Sequence, residues 1–148
     1  RIWERHILNC LPITTLIPQG ASVIDVGSGA GLPGIVIKLA RPDLTVTLIE
    51  PLERRCQFLR ETGVDVEIIR GRAEDVKAKA DIVTARAVAP LPKLVAMTAH
   101  LIKPGGALLA MKGASAEKEM DSVPGAVLHE ISLAGCEPGR VVEVRARA

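Results

Sequence analysis

The sequence predicts an α/β three-layer sandwich on a mostly parallel sheet, and three observations point to it. Short apolar, β-branched runs recur along the chain, at Ser22-Val-Ile-Asp-Val26, Thr45-Val-Thr-Leu-Ile-Glu50, Asp65-Val-Glu-Ile-Ile69, Asp81-Ile-Val-Thr-Ala85 and Ala107-Leu-Leu-Ala-Met111. They are nearly continuous in hydrophobicity, as strands buried on both faces are. Segments with helical spacing separate them, the alternation that builds a parallel sheet with helices on both sides and right-handed crossovers. Of the 148 residues 48% are hydrophobic, mainly Val, Leu, Ile and Ala, with Trp3 and Phe58 as the aromatics. That length suits one domain with a sizeable core.

The chain opens on Arg1-Ile-Trp-Glu-Arg-His-Ile-Leu-Asn-Cys-Leu11, a helical pattern closed by Pro12. Starting on arginine without a cap, it reads as a fragment whose upstream part is missing. The first strand, Ser22 to Val26, runs into the alternating glycines Gly27, Gly29 and Gly31. Residues without Cβ atoms let the backbone turn tightly and approach a ligand. Leu32 to Ala40 then reads as a helix, Pro33 being tolerated in its first turn. A bound ligand would therefore meet a helix N-terminus. Alone, this loop could also be a plain strand-to-helix connection.

The second strand supplies an acid, Glu50, 19 residues beyond Gly31. In a doubly wound sheet that position faces a cofactor ribose, where a carboxylate accepts hydrogen bonds from the hydroxyls. A lone acid there could also be a solvated strand end. Helix Pro51 to Glu61 follows and stops at Gly63, a short crossover that suggests lost residues. Arg70-Gly-Arg-Ala-Glu-Asp75 is a polar loop at the edge where ligands of open α/β sheets collect. After the fourth strand comes Arg86, then a proline-led helix reaching Leu101. Lys103-Pro-Gly-Gly106 reads as a turn by composition, feeding the fifth strand. Val127 to Ile131 and Arg140 to Val144 are candidates for a closing pair of strands.

Spacing bears on the cofactor. Dinucleotide sites usually carry Gly-x-Gly-x-x-Gly, the second glycine admitting a pyrophosphate, whereas here Asp25-x-Gly-x-Gly-x-Gly follows the strand. S-adenosylmethionine has no pyrophosphate, and an acid at Asp25 suits its ammonium group or a water bound to it. The pattern resembles the Rossmann-like S-adenosylmethionine-dependent methyltransferases.

Composition limits the classes further. The net charge of +2 with abundant arginine permits a polyanionic partner without demanding one. Cys10, Cys56 and Cys136, odd in number and without Cys-x-x-Cys spacing, speak against a disulfide framework and against a metal site. No membrane-span or signal pattern is present, so a cytoplasmic protein with no membrane association is expected, and a monomer.

Several blocks together resemble one family. Trp3-Glu-Arg-His-Ile-Leu8, Asp25-Val-Gly-Ser-Gly-Ala-Gly-Leu-Pro-Gly34, Gly71-Arg-Ala-Glu-Asp75, Thr84-Ala-Arg-Ala-Val88 and Leu109-Ala-Met-Lys-Gly113 are similar to the bacterial small-subunit ribosomal RNA guanine-N7 methyltransferase G family, also called glucose-inhibited division protein B. The resemblance implies methyl transfer from S-adenosylmethionine to N7 of one guanine in small-subunit ribosomal RNA, with that RNA or the ribosomal subunit as partner. It implies cofactor contacts at Gly27 and Leu32, at Ala73 and Glu74 beside the adenine, and at Arg86. Relative to the family, helices upstream of Arg1 and part of the helix between Phe58 and Val64 are absent, and the Asp75 to Asp81 connection is slightly shorter. Guanine N7 carries an exposed lone pair, so no proton-transfer residue is assigned. Arg1, Arg5, Arg70, Arg72 and Arg86 are candidates for phosphate and base contacts. A methyltransferase of small molecules or proteins, or a nicotinamide-binding module, could use the same loop and Glu50.

Overall fold

Strands β1 (Ser22–Val26), β2 (Thr45–Glu50), β3 (Glu67–Arg70), β4 (Ala80–Arg86), β5 (Ile102–Met111), β6 (Val127–Ile131) and β7 (Gly139–Arg145) form one sheet in the order β3-β2-β1-β4-β5-β7-β6. The structure is a computed structural model and describes residues 8–27, 33–86, 89–111, 116–133 and 139–146. The first five strands pair in parallel, and β7 runs antiparallel to both β5 and β6. The mostly parallel α/β sandwich expected from the sequence is what the chain forms.

Helices α1 (Gly34–Ala40), α2 (Glu53–Glu61), α3 (Leu91–Thr98) and α4 (Ala116–Met120) connect the strands. Two apolar clusters lie on the two faces of the sheet. Val23, Val46, Leu48, Ile82 and Leu109 pack with Ile37 of α1 and Leu59 of α2. Ile24, Ile49, Val83 and Leu108 pack with Leu91 and Leu94 of α3. Neighbouring strand residues thus alternate between clusters, and this is why the strand sequences are continuously apolar. Each fully buried aliphatic side chain contributes about 1.5 to 3 kcal/mol.

Several elements differ from expectation, among them α1, which begins at Gly34 with Pro33 as its N-cap. Lys103 to Gly106 is not a turn between elements but part of β5, at a register irregularity where Ala80 pairs with Ile102 and Ile82 already pairs with Ala107. The Pro-Gly-Gly composition serves a bulge, which needs the same backbone freedom as a turn. Helix α2 begins at Glu53 rather than Pro51, because Leu52 is extended (φ −90°, ψ 122°) and gives its N–H to the Glu50 side chain. Strand β3 starts two residues later than read, at Glu67. Of the expected opening helix, residues 8–10 are helical, and Trp3 and His6 lie outside the described residues.

Candidate functional site

From β1 the chain winds outward through β2 to β3, and then returns to place β4 on the other side of β1. The strand ends at this reversal leave a crevice where ligands of open α/β sheets bind. Gly27 leaves β1 there with φ 68°, a left-handed backbone that glycine adopts without a Cβ penalty. Its N–H donates to the Ile49 carbonyl at 2.9 Å, and the Gly71 N–H donates to the Glu50 carbonyl at 3.1 Å. The ends of β1, β2 and β3 are therefore laced together by backbone bonds. The polar loop after β3 contains a 3-10 turn, Ala73–Asp75.

These ends border a cavity of about 450 Å³, within the usual range for small-molecule sites. Val26, Ile49, Leu94 and Met97 make its apolar walls, with the small residues Gly27, Gly71 and Ala73 between them in the lining. Arg72, Glu74 and Lys93 line it with exposed side chains. Sequence reasoning anticipated Gly27, Ala73 and Glu74 here. It missed Lys93, Leu94 and Met97 of α3, whose i, i+1, i+4 spacing puts them on one side of that helix and is a legible signal.

Glu50 stands beside the cavity between two of its lining residues, Ile49 and Pro51. It is only 1% exposed. Its Oε2 accepts the Leu52 N–H at 2.8 Å, and its Oε1 lies 3.9 Å from Nη1 of Arg55. The acid is thus fixed in place at the end of β2, next in sequence to two lining residues without lining the cavity itself.

Asp25 is 0% exposed. Its Oδ2 accepts the Gly34 N–H at 3.0 Å and its Oδ1 accepts the Thr84 hydroxyl at 2.7 Å. The carboxylate thus ties β1 to the first turn of α1 and to β4 at once. Gly34 permits this closeness, since a Cβ there would meet Leu48 and lie 2.8 Å from Asp25 Oδ2. The Leu-Pro-Gly sequence after the loop therefore has a packing reason at its glycine.

Arg86 ends β4 with an exposed side chain and does not line the cavity. It lies toward Cys10, whose thiol is pushed up to about 11 by burial, while the Arg86 charge pulls it down and Asp25 adds to the rise. Gly29, Gly31 and Leu32 lie outside the described residues. So do Arg1 and Arg5. Arg70 is spent on Glu53, at 2.9 Å. Among the described residues no three His, Cys, Asp or Glu side chains are grouped to hold a metal, and no helix is long and apolar enough to cross a membrane.

The model of the family described as rRNA small subunit methyltransferase G matches residues 1–134. Curated relatives carry the same description. The one from Thermobifida fusca is 58% identical over 128 residues, covering 82% of this chain and 54% of that protein. The one from Acidothermus cellulolyticus is 54% identical over 154 aligned positions, covering 100% of this chain and 68% of that protein. The chain thus spans about half to two thirds of the length of these relatives. Among solved structures, a ribosomal protein L11 methylase from Lactobacillus delbrueckii subsp. bulgaricus superposes with TM-score 0.72 at 18% identity, covering 95% of this chain and 78% of that one. A methyltransferase from Pyrococcus furiosus gives 0.70 at 15% identity, with 99% and 83% covered. At such identities the likeness establishes the fold.

Proposed function

The chain belongs to the rRNA small subunit methyltransferase G family, and we propose that it binds S-adenosylmethionine in the cavity beside Gly27 and Glu50 and transfers the methyl group to N7 of a guanine in small-subunit ribosomal RNA. The observation that carries this reading is the convergence of Gly27, Ile49, Ala73 and Glu74 on one cavity at the reversal of strand order.

The residues present suit the cofactor. A purine needs apolar faces, which Val26, Ile49, Leu94 and Met97 provide. A ribose needs a hydroxyl acceptor, which Glu50 provides from its buried position. Ala73 and Glu74 would hold the adenine edge, and Gly27 would let the backbone approach. Gly29, Gly31, Leu32 and Arg86 complete the proposed set, and Asp25 acts from behind by holding the loop-to-helix junction. When bound, the cofactor supplies an electrophilic sulfonium methyl. The protein's part is alignment, because N7 carries a lone pair and no proton and so requires no base. Holding the two reactants in line can supply about 7 to 11 kcal/mol of the barrier. Arg72 and Lys93, both exposed at the cavity, are placed to contact RNA phosphates. The reading includes a single cytoplasmic domain acting as a monomer without a metal.

Glu50→Ala is expected to weaken binding of S-adenosylhomocysteine by about 1 to 3 kcal/mol, the cost of losing hydrogen bonds to a charged acceptor, measured by calorimetry on a folded variant. The transfer itself is tested by supplying labelled S-adenosylmethionine with small subunits from cells lacking the enzyme. Label at one guanine N7, falling steeply as salt rises because phosphate contacts release counterions, is the expected result. Label on protein or small molecules would overturn the RNA assignment, and tighter binding of nicotinamide dinucleotides would overturn the cofactor.

A further inference from the structure

We propose that His100 is a positioning residue that sets the spacing between the two walls of the cavity by donating its Nε2 proton to the carbonyl of Ala73. One wall is the turn Gly71 to Glu74 after β3, and the other is the side of α3 bearing Leu94 and Met97. His100 lies three residues beyond Met97, in the 3-10 turn Ala99–Leu101 that ends this helix. Its Nε2 is 2.8 Å from the Ala73 oxygen. A carbonyl can only accept, so Nε2 carries the proton and the tautomer is set.

Apart from the burial of Ala73 and Val76, the turn is lightly fastened. Its own bonds are few and include a long one, Asp75 N–H to Arg72 O at 3.0 Å and Val76 N–H to Ala73 O at 3.4 Å, and 3-10 geometry is weak. The other wall is held independently, with Leu91, Leu94 and Thr98 buried and the Thr98 hydroxyl bonded to the Leu94 carbonyl at 2.8 Å. A second strut completes the connection, Lys79 Nζ donating to the His100 carbonyl at 2.9 Å. Residues 73 and 79 are thus both fastened to position 100, and the ring bond is the one that reaches a residue lining the cavity.

The inference rests on the proposed cofactor site, and its test separates the two. His100→Phe keeps a ring without the donor, and His100→Gln keeps a donor at similar reach. In the full chain, His100→Phe is expected to weaken S-adenosylhomocysteine binding three- to tenfold and to speed hydrogen exchange at the amides of Asp75 and Val76. Its KM for S-adenosylmethionine should rise in proportion, with kcat at saturation nearly unchanged, and His100→Gln should restore affinity and protection. Wild-type affinity in His100→Phe, faster exchange without weaker binding, or failure of Gln to rescue would each overturn the proposal. Should the wild-type chain bind no S-adenosylhomocysteine, the functional reading fails, while slowed exchange at Asp75 and Val76 still reports whether the ring bond holds the turn.

Discussion

The β1–β4 strand pair is clamped at both ends by a carboxylate and a hydroxyl, with the partners exchanged. At the cavity end Asp25 of β1 accepts from Thr84 of β4 at 2.7 Å. At the far end Asp81 of β4 accepts from the hydroxyl of Ser22 of β1 at 3.0 Å and from its N–H at 2.9 Å, while the Asp81 N–H donates back to Ser22 Oγ at 2.9 Å. The chemistry matches, and the surroundings do not. Asp25 is wholly buried, whereas the Asp81 side chain is 47% exposed with Lys103 Nζ 3.9 Å away. Water can replace a lost partner at Asp81 and cannot do so at Asp25, so equal bonds should differ in what their loss costs. The costlier clamp stands at the end of the strand pair that borders the cavity.

The largest effect should come from Asp25→Ala. It leaves the Gly34 N–H and the Thr84 hydroxyl buried without this acceptor, at about 1 to 3 kcal/mol each, so a loss of about 2 to 6 kcal/mol is expected, read from urea unfolding. A loss no greater than that of Asp81→Ala would break the comparison. Gly34→Ala should follow at about 1 to 3 kcal/mol, since its Cβ would press on Leu48 and Asp25. Gly71→Ala is the control: its Cβ would meet Val76 Cγ2 at 3.8 Å, an ordinary contact, and stability should change by no more than about 0.5 kcal/mol.

What was legible in the sequence depended on how local its cause is. β1 and β2 were bounded correctly because burial on both faces demands unbroken apolar residues. That Gly27 lines the cavity was legible because it follows a buried strand, and Ala73 and Glu74 were found there through the resemblance to the family. Thr84 as the partner of Asp25 was not, since 59 residues separate them and only the parallel register joins them. Leu94 and Met97 were missed as lining residues because their spacing shows that they share a side of α3 but not that α3 folds back over this edge of the sheet. Lys103 to Gly106 misled because a bulge and a turn draw on the same residues.

A further small effect concerns acid. The Ser22 N–H and hydroxyl, helped by the Lys103 charge, hold the Asp81 carboxyl below its usual range. A carboxylate with a lowered folded pKa stabilises the fold above its unfolded value, near 4, and that contribution vanishes as pH falls through the folded value. Asp81→Asn keeps an oxygen for Ser22 and removes the charge. At pH 7 the variant should therefore be less stable than wild type, by well under about 1 kcal/mol because the pair is screened by solvent. The gap should close as the pH is lowered from about 5 through the folded value. A gap that stays constant across that range would show that the bond geometry, not the charge, carries the clamp. Raising salt at pH 7 offers a second view, since screening should shrink the Lys103 contribution and leave the buried Asp25–Thr84 bond unaffected.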